Sequence, residues 1–173
     1  MFGGRPDAAF AAFVTEAQQR LYRQAYLLSG EQQAAQDLVQ STLVKLFLGW
    51  RRVESPYAYA QRTMVRTFLD DRRRLRRQHD LHRLVDGVAS YEPDPGTRLT
   101  VLGALATLPP RMRAVVVLRY WEDLSVEQAA AALGCSAGTV KSSSSKALNR
   151  LRELLGETFA ERVTTTTTGD QES

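Results

Sequence analysis

The stretch LSVEQAAAALGCSAGTVKS, residues 124–142, decides the fold. Ser125 stands where a helix N-cap belongs, and Gln128, three residues on, is placed to reach back and complete a capping box. Ala129 and Ala130 are small enough for a second helix to cross closely. Gly134 offers the left-handed conformation that ends a helix. Ser136 then caps the next helix, and Val140 is the apolar plug that returns to the core between the two. Cap, small pair, glycine turn, cap and plug at these spacings describe a helix-turn-helix. A helical hairpin of purely structural purpose is the alternative.

The second helix of the pair continues as KSSSSKALNRLREL, residues 141–154. At about 100° per residue, Val140, Ser144, Ala147, Leu148 and Leu151 share the inner face, while Thr139, Ser142, Ser143, Lys146, Asn149 and Arg150 lie outward. Ser144, on the inner face, is expected to bond back to a carbonyl one turn earlier. Ser142 and Ser143 fall near the helix start, where base edges are reached, and Lys146 and Arg150 further along suit phosphates. A serine hydroxyl both donates and accepts, so it discriminates bases less sharply than a bidentate Arg. The pattern is that of a phosphate gripper with a permissive reader.

Working outward, Phe10, Phe13, Val14, Ala17, Leu21, Ala25 and Leu28 recur at helical spacing and stop at Ser29-Gly30. A second stripe runs Leu38, Val39, Leu43, Leu46, Phe47, Trp50. A third, opened by Ser55-Pro56 as N-cap and first helical residue, runs Tyr57, Ala60, Met64, Val65, Phe68, Leu69, Leu75. These predict a helical N-terminal domain over residues 1–77. From 78 to 98 the periodicity weakens and SYEPDPGT gathers turn residues and acids, the mark of a flexible linker. A second helical unit, 99–155, begins at Leu99, Leu102, Leu105 and Leu108 and is broken at Pro109-Pro110. Residues 156–173, with their threonine run, read as a low-complexity, disordered tail. No strand or hairpin signal appears, so the fold class is all-α: two small helical domains joined by a flexible linker.

Composition agrees. The chain has 173 residues, 43% hydrophobic and 24% charged, which is globular and not disordered. Its single cysteine, Cys135, excludes an internal disulfide and a multi-cysteine zinc site, and no cofactor or metal is expected. No apolar run reaches membrane-spanning length and the N-terminus lacks signal-peptide features, so a cytoplasmic protein with no membrane partner is expected. Net charge is +4, but Arg51 to Arg83 holds ten Arg against four acids, and Lys141 to Leu155 holds four basic residues against Glu153 alone. Two separate basic patches suggest one polyanion touched at two places. No phosphate-cradling glycine loop, nucleophile elbow or zinc-hydrolase motif occurs, so no enzymatic activity is expected.

Taken in order, QDLVQSTLVKLF, SPYAYAQRTMVRTFLDDRRRLRR and ATLPPRMRAVVVLRYWEDLSVEQAAAALGCSAGTVKSSSSKALNRLREL resemble regions two and four of an extracytoplasmic-function (ECF) RNA polymerase sigma factor. Within that family the likeness is to the short SigE-like actinobacterial branch, in keeping with twenty Arg against three Lys. The resemblance implies a sigma factor that binds core RNA polymerase and directs promoter-specific initiation. It implies that Asp37, Gln40 and Lys45 form a polar ridge that docks on the clamp helices of the polymerase's largest subunit. It also implies that Arg62, Arg66, Arg73, Arg74, Arg76 and Arg77 face minus-ten promoter DNA, with the preceding loop RRVESPYA receiving a flipped base. Minus-thirty-five contacts then fall to Thr139, Lys141, Ser142, Ser143, Lys146 and Arg150. An anti-sigma factor is a further implied partner. The chain departs from the family at Arg66, where Asn is frequent, and at Ser143 and Ser144, where Arg or Gln and an apolar residue are frequent. Two rival functions remain at this level: a stand-alone helix-turn-helix repressor, and a sigma mimic that sequesters a regulator.

Overall fold

The computed structural model describes residues 8–86 and 101–156. Three helices make the N-terminal half. The first, α1, Ala8–Ser29, buries Ala17, Leu21, Ala25 and Leu28 along one stripe and ends at Gly30, whose φ of 80° no helix can continue. Helix α2, Gln32–Gly49, buries Ala35, Leu38, Val39 and Leu46 against it. Thr42 is buried among them because its hydroxyl donates to the Leu38 carbonyl at 2.8 Å, so no polar group is orphaned there. A 3-10 turn, Trp50–Arg52, then leads into α3, Pro56–Asp86. Pro56 occupies the first helical position, where its missing N–H costs nothing, and the Tyr59 N–H closes the first turn on the Ser55 carbonyl at 3.0 Å. Ala60, Met64, Val65, Phe68 and Leu69 of α3 complete the bundle core.

Helix α3 is longer than the sequence suggests. Instead of ending at Arg77 it runs to Asp86, because its distal half is made of good helix formers and no Gly or Pro intervenes before Gly87. The part of the expected linker from 78 to 86 is therefore helical. The rest of that linker, Leu99 and the tail beyond Gly156 lie outside the described residues. Leu75, expected in the core stripe, is 53% exposed. Arg72 donates to the Ser29 carbonyl at 3.3 Å, which marks the level at which α1 ends, and beyond it residues 73–81 of α3 are exposed among the described residues.

The C-terminal half contains α4, Val101–Thr107, and α5, Pro110–Val116, separated by the Pro109-Pro110 break. A π-turn, Val117–Trp121, extends α5, and the helix-turn-helix follows as α6, Val126–Leu133, and α7, Ala137–Leu155. Ala104, Leu105, Leu108, Val116, Ala147 and Leu151 form its own small core. Ala114, Val115, Leu118, Ala129, Leu133 and Val140, however, belong to the same buried cluster as the core of α1 to α3. The two halves are thus docked on each other through α1 and α3 on one side and α4, α5, the π-turn and α6 on the other. Among the described residues there is no strand, and no helix is long and apolar enough to cross a membrane.

Candidate nucleic-acid interface

The helix-turn-helix is built as its local sequence demands. The Gln128 N–H donates to Ser125 Oγ at 3.0 Å and the Ser125 N–H donates to Gln128 Oε1 at 2.8 Å, a complete capping box. Gly134 ends α6 at φ 65°, where any side chain would be strained. Ser136 Oγ accepts the Thr139 N–H at 3.1 Å to start α7, and Val140 is wholly buried between the two helices.

The four serines differ as expected in kind but not in every detail. Ser144 does point inward and is buried, yet its hydroxyl makes no hydrogen bond, so the expected back-bond is absent. Ser142 makes such a bond instead, at 3.3 Å to the Thr139 carbonyl. Ser143 is half-buried while Ser145 is exposed together with Lys141, Ser142, Lys146, Asn149 and Arg150. The reason is angular: Ser143 lies within roughly 60° of both Val140 and Ala147, at the edge of the buried stripe, whereas Ser145 lies roughly 140° from Val140. Thr139 is exposed, with its hydroxyl 2.9 Å from Ser136 Oγ. Beside α7 a groove of about 360 Å³ is lined by Arg119, Lys141, Ser144, Ser145, Asn149 and Arg152. Sequence reasoning passes over Ser145, Arg119 and Arg152, because only the fold brings Arg119 of the π-turn to the flank of α7.

The basic helix α3 presents the second surface. Arg62, Arg66, Arg73, Arg74, Arg76 and Arg77 are all exposed, and among the described residues Arg73 pairs with an acid, Asp70 at 3.8 Å. Arg62 lies over the Tyr59 ring at 5.9 Å. Where the 3-10 turn meets α3, Arg52, Val53, Glu54, Ser55, Tyr59 and Arg62 line an open cavity of about 550 Å³. That volume falls in the range that takes small molecules, and the lining mixes one aromatic face with charged and hydroxyl groups. The two tyrosines at the start of α3 have separate fates. Tyr59 lines the cavity, whereas Tyr57 donates to Glu122 at 3.0 Å and is covered by Arg20 at 4.4 Å from its ring centre. Burial first, and then the Glu122 carboxylate beside it, hold the Tyr57 phenol well above its ordinary range.

On α2, Asp37 and Gln40 are exposed on one ridge, with Gln33 Nε2 donating to Asp37 Oδ1 at 3.0 Å. Lys45 is engaged differently: its ammonium donates to Thr67 Oγ1 at 2.7 Å and ties α2 to α3. The same helix exposes Val44, Phe47 and Leu48, at 60%, 46% and 78%. Phe47, expected in the core stripe, lies at its margin with one edge against Phe10, ring centres 4.9 Å apart. Such a cluster of large exposed apolar side chains beside a polar ridge has the composition of a protein-docking face. Gln40 and Leu43 also line a groove of about 630 Å³ between α1 and α2.

Two separate cationic surfaces, one in a helix-turn-helix and one on a helix headed by an open cavity, have the composition of a helical nucleic-acid-binding protein. No group of three or more metal-ligating side chains exists among the described residues. The sequence profile of sigma-70 region 2 matches residues 13–78, and that of sigma-70 region 4 matches residues 104–153. The RNA polymerase sigma-E factor of Streptomyces coelicolor is 38% identical over 154 residues, covering 84% of this chain and 85% of that protein. The ECF RNA polymerase sigma factor SigE of Mycolicibacterium smegmatis is 37% identical over 82% of this chain and 60% of its own length. Among solved structures, the sigma factor RpoE of Bartonella quintana, in complex with the anti-sigma factor NepR, matches with a TM-score of 0.69 at 28% identity, covering 87% of this chain and 99% of that one. The chain belongs to the ECF sigma factors of the sigma-70 family. It is a transcription initiation factor that binds core RNA polymerase and directs promoter-specific initiation, not an enzyme.

Proposed function

We propose that this sigma factor divides its work among three surfaces. The α2 ridge of Asp37 and Gln40, with exposed Val44, Phe47 and Leu48 beside it, docks on the clamp helices of the polymerase's largest subunit. Lys45 contributes by holding α2 against α3. On α3, Arg62, Arg66, Arg73, Arg74, Arg76 and Arg77 neutralise minus-ten phosphates, and the cavity at its head takes an unstacked base, with Tyr59 offering a stacking face. Extruding a base costs about a few kcal/mol, which the surrounding cations offset.

On α7, Thr139, Lys141, Ser142, Lys146 and Arg150 address the minus-thirty-five element. Ser145 shares the outward face with Ser142, and Ser143 sits at its flank. Weak base reading by serines suffices because polymerase anchors both regions, and two contacts joined on one scaffold gain effective concentration. The two regions act as separate domains joined through the segment after Asp86, and the protein works in the cytoplasm. An anti-sigma factor is a fitting regulator, as one accompanies the Bartonella quintana sigma factor. The observation that carries this reading is the cavity at the head of α3, lined by Tyr59, Arg52 and the first of the α3 arginines, Arg62. Transcription by purified core polymerase supplemented with this chain tests it. A sigma mimic would bind a regulator yet fail there, and a stand-alone repressor would bind a palindromic duplex without polymerase.

A further inference from the structure

Glu122, in the turn before the helix-turn-helix, is buried between the two halves. A single carboxylate oxygen, Oε2, serves three groups of the N-terminal half: Arg20 Nη2 at 3.1 Å, the Tyr57 hydroxyl at 3.0 Å and Gln61 Nε2 at 2.7 Å. A second tie crosses the same seam, from Arg113 Nη1 to the Leu28 carbonyl at 2.7 Å. The seam is also where polar groups go unpaired. Both amide atoms of Gln24, Arg113 Nε and Glu122 Oε1 are buried without a hydrogen-bond partner. Gln24 lies one helical turn from Arg20 and from Leu28 on α1, on the face turned to the seam. Each such group would gain water if the halves parted, so the docked state carries its own incentive to open.

The docked state also disagrees geometrically with promoter binding. Nη2 of Arg66, on α3, lies 3.8 Å from where a Cβ on Gly134 would stand, so the helix-turn-helix turn sits on the minus-ten helix. Minus-ten and minus-thirty-five elements, about 25 base pairs apart, are separated by roughly 85 Å along the duplex at 3.4 Å per pair. A docked chain of this size, with a radius of gyration near roughly 16 Å, cannot touch both. The stretch between Asp86 and Val101 reaches about 50 Å when extended, which with the two halves themselves spans that distance.

We propose that the free chain rests in a docked form latched by Glu122 on Arg20, Tyr57 and Gln61, and that release of this latch is the step that admits it to polymerase and promoter. The inference rests on the function argued above for the two DNA-binding surfaces. The docked form is the major but binding-incompetent state: a ligand that needs the open form has its affinity lowered in proportion to the open fraction, and unlatching restores it.

The test uses the full chain with Ala12→Cys and Glu153→Cys, both exposed positions, spin-labelled in a Cys135→Ser background. Electron-electron distance measurement on the free protein should give one narrow short distribution. Glu122→Lys, which sets two cations face to face, should broaden and lengthen it, and adding Arg20→Glu should restore it. In parallel, Glu122→Lys should tighten binding to core polymerase by on the order of tenfold, and the double variant should reverse that gain. A wild-type distribution already long, a Glu122→Lys distribution unchanged, or an opened variant with unaltered polymerase affinity would each overturn the latch. If Glu122→Lys loses its helical circular dichroism, Arg20→Ala, at a largely exposed side chain, carries the same two measurements. Failure of the wild-type chain to start transcription with core polymerase counts against the proposed function, whereas the distances in the free chain judge the latch alone.

Discussion

Arg113 Nη1 donates a 2.7 Å hydrogen bond to the carbonyl oxygen of Leu28, eighty-five positions away in sequence. Its Nη2 serves Ala106 at 2.8 Å and Leu108 at 3.2 Å, so one buried guanidinium caps the C-terminal ends of both α1 and α4. Carbonyls at helix ends carry the negative pole of the helix dipole, which makes them suitable partners for a buried cation. Burial first, and then the neighbouring charge of Arg72, push the Arg113 pKa down to about 10.

Replacing this residue should therefore be costly. Arg113→Lys keeps the charge but cannot fork to three carbonyls, and Arg113→Met removes the charge and leaves the carbonyls unpaired. Each should cost about 2 to 4 kcal/mol in urea unfolding. The folded-state pKa lies below the unfolded value, so ionisation of Arg113 opposes folding at neutral pH. That penalty is constant up to about pH 10 and is relieved as the pH rises above it. The difference in stability between wild type and Arg113→Met should accordingly stay flat from pH 7 to 9.

Asp37→Lys with Gln40→Arg should abolish co-elution with core polymerase while helicity and melting temperature stay nearly unchanged, since both side chains are exposed. Leu48→Ser should weaken the same binding without loss of stability, because 78% of Leu48 is exposed in the free chain. Unfolding of either variant would show these residues to be structural. Retained binding would move the docking face elsewhere.

Ser144→Ala should be neutral or stabilising by up to about 1 kcal/mol, since it removes a buried hydroxyl with no partner and introduces a better helix former. A thermal melt decides this. A loss of more than about 1 kcal/mol would mean that the hydroxyl is bonded after all.

Arginine scanning on α7 separates the serines. Ser142→Arg or Ser145→Arg should sharpen preference for a guanine in the minus-thirty-five element by roughly 1 to 3 kcal/mol, while Ser143→Arg, at the edge of the buried stripe, should change the ranking less. Lys146→Ala and Arg150→Ala should weaken all variants alike and lower the salt slope by about one unit each. Transcription from promoter variants at two salt concentrations measures both effects. A dominant effect at Ser143 would rotate the helix on DNA.

Much of this was legible in residues that act on their near neighbours. The capping box of Ser125 and Gln128, the left-handed Gly134, the cap at Ser136 and Pro56 at a helix start are written in spacings of a few positions, and each is present in the structure. What depends on distant packing was not legible. Leu75 fits the α3 stripe but is exposed among the described residues, past the level where α1 ends at Ser29, and Phe47 fits the α2 stripe but sits at its margin. The seam around Glu122 joins positions about sixty to a hundred apart, and no local period announces it. For the site, the arginine rows of α3 and the outward lysine and arginine of α7 follow from helical angle alone. Ser145, Arg119 and the cavity beside Tyr59 required the folded chain.

The central claim is that this chain gives RNA polymerase its choice of promoter through two DNA-binding surfaces on one subunit. Run-off transcription with purified core polymerase over a genomic promoter library tests it most directly. Discrete start sites should appear only when the chain is added, sharing one minus-ten and one minus-thirty-five motif, and Arg62→Ala together with Arg66→Ala should suppress them all. Transcripts that are absent, or that start without a shared motif, would contradict the account.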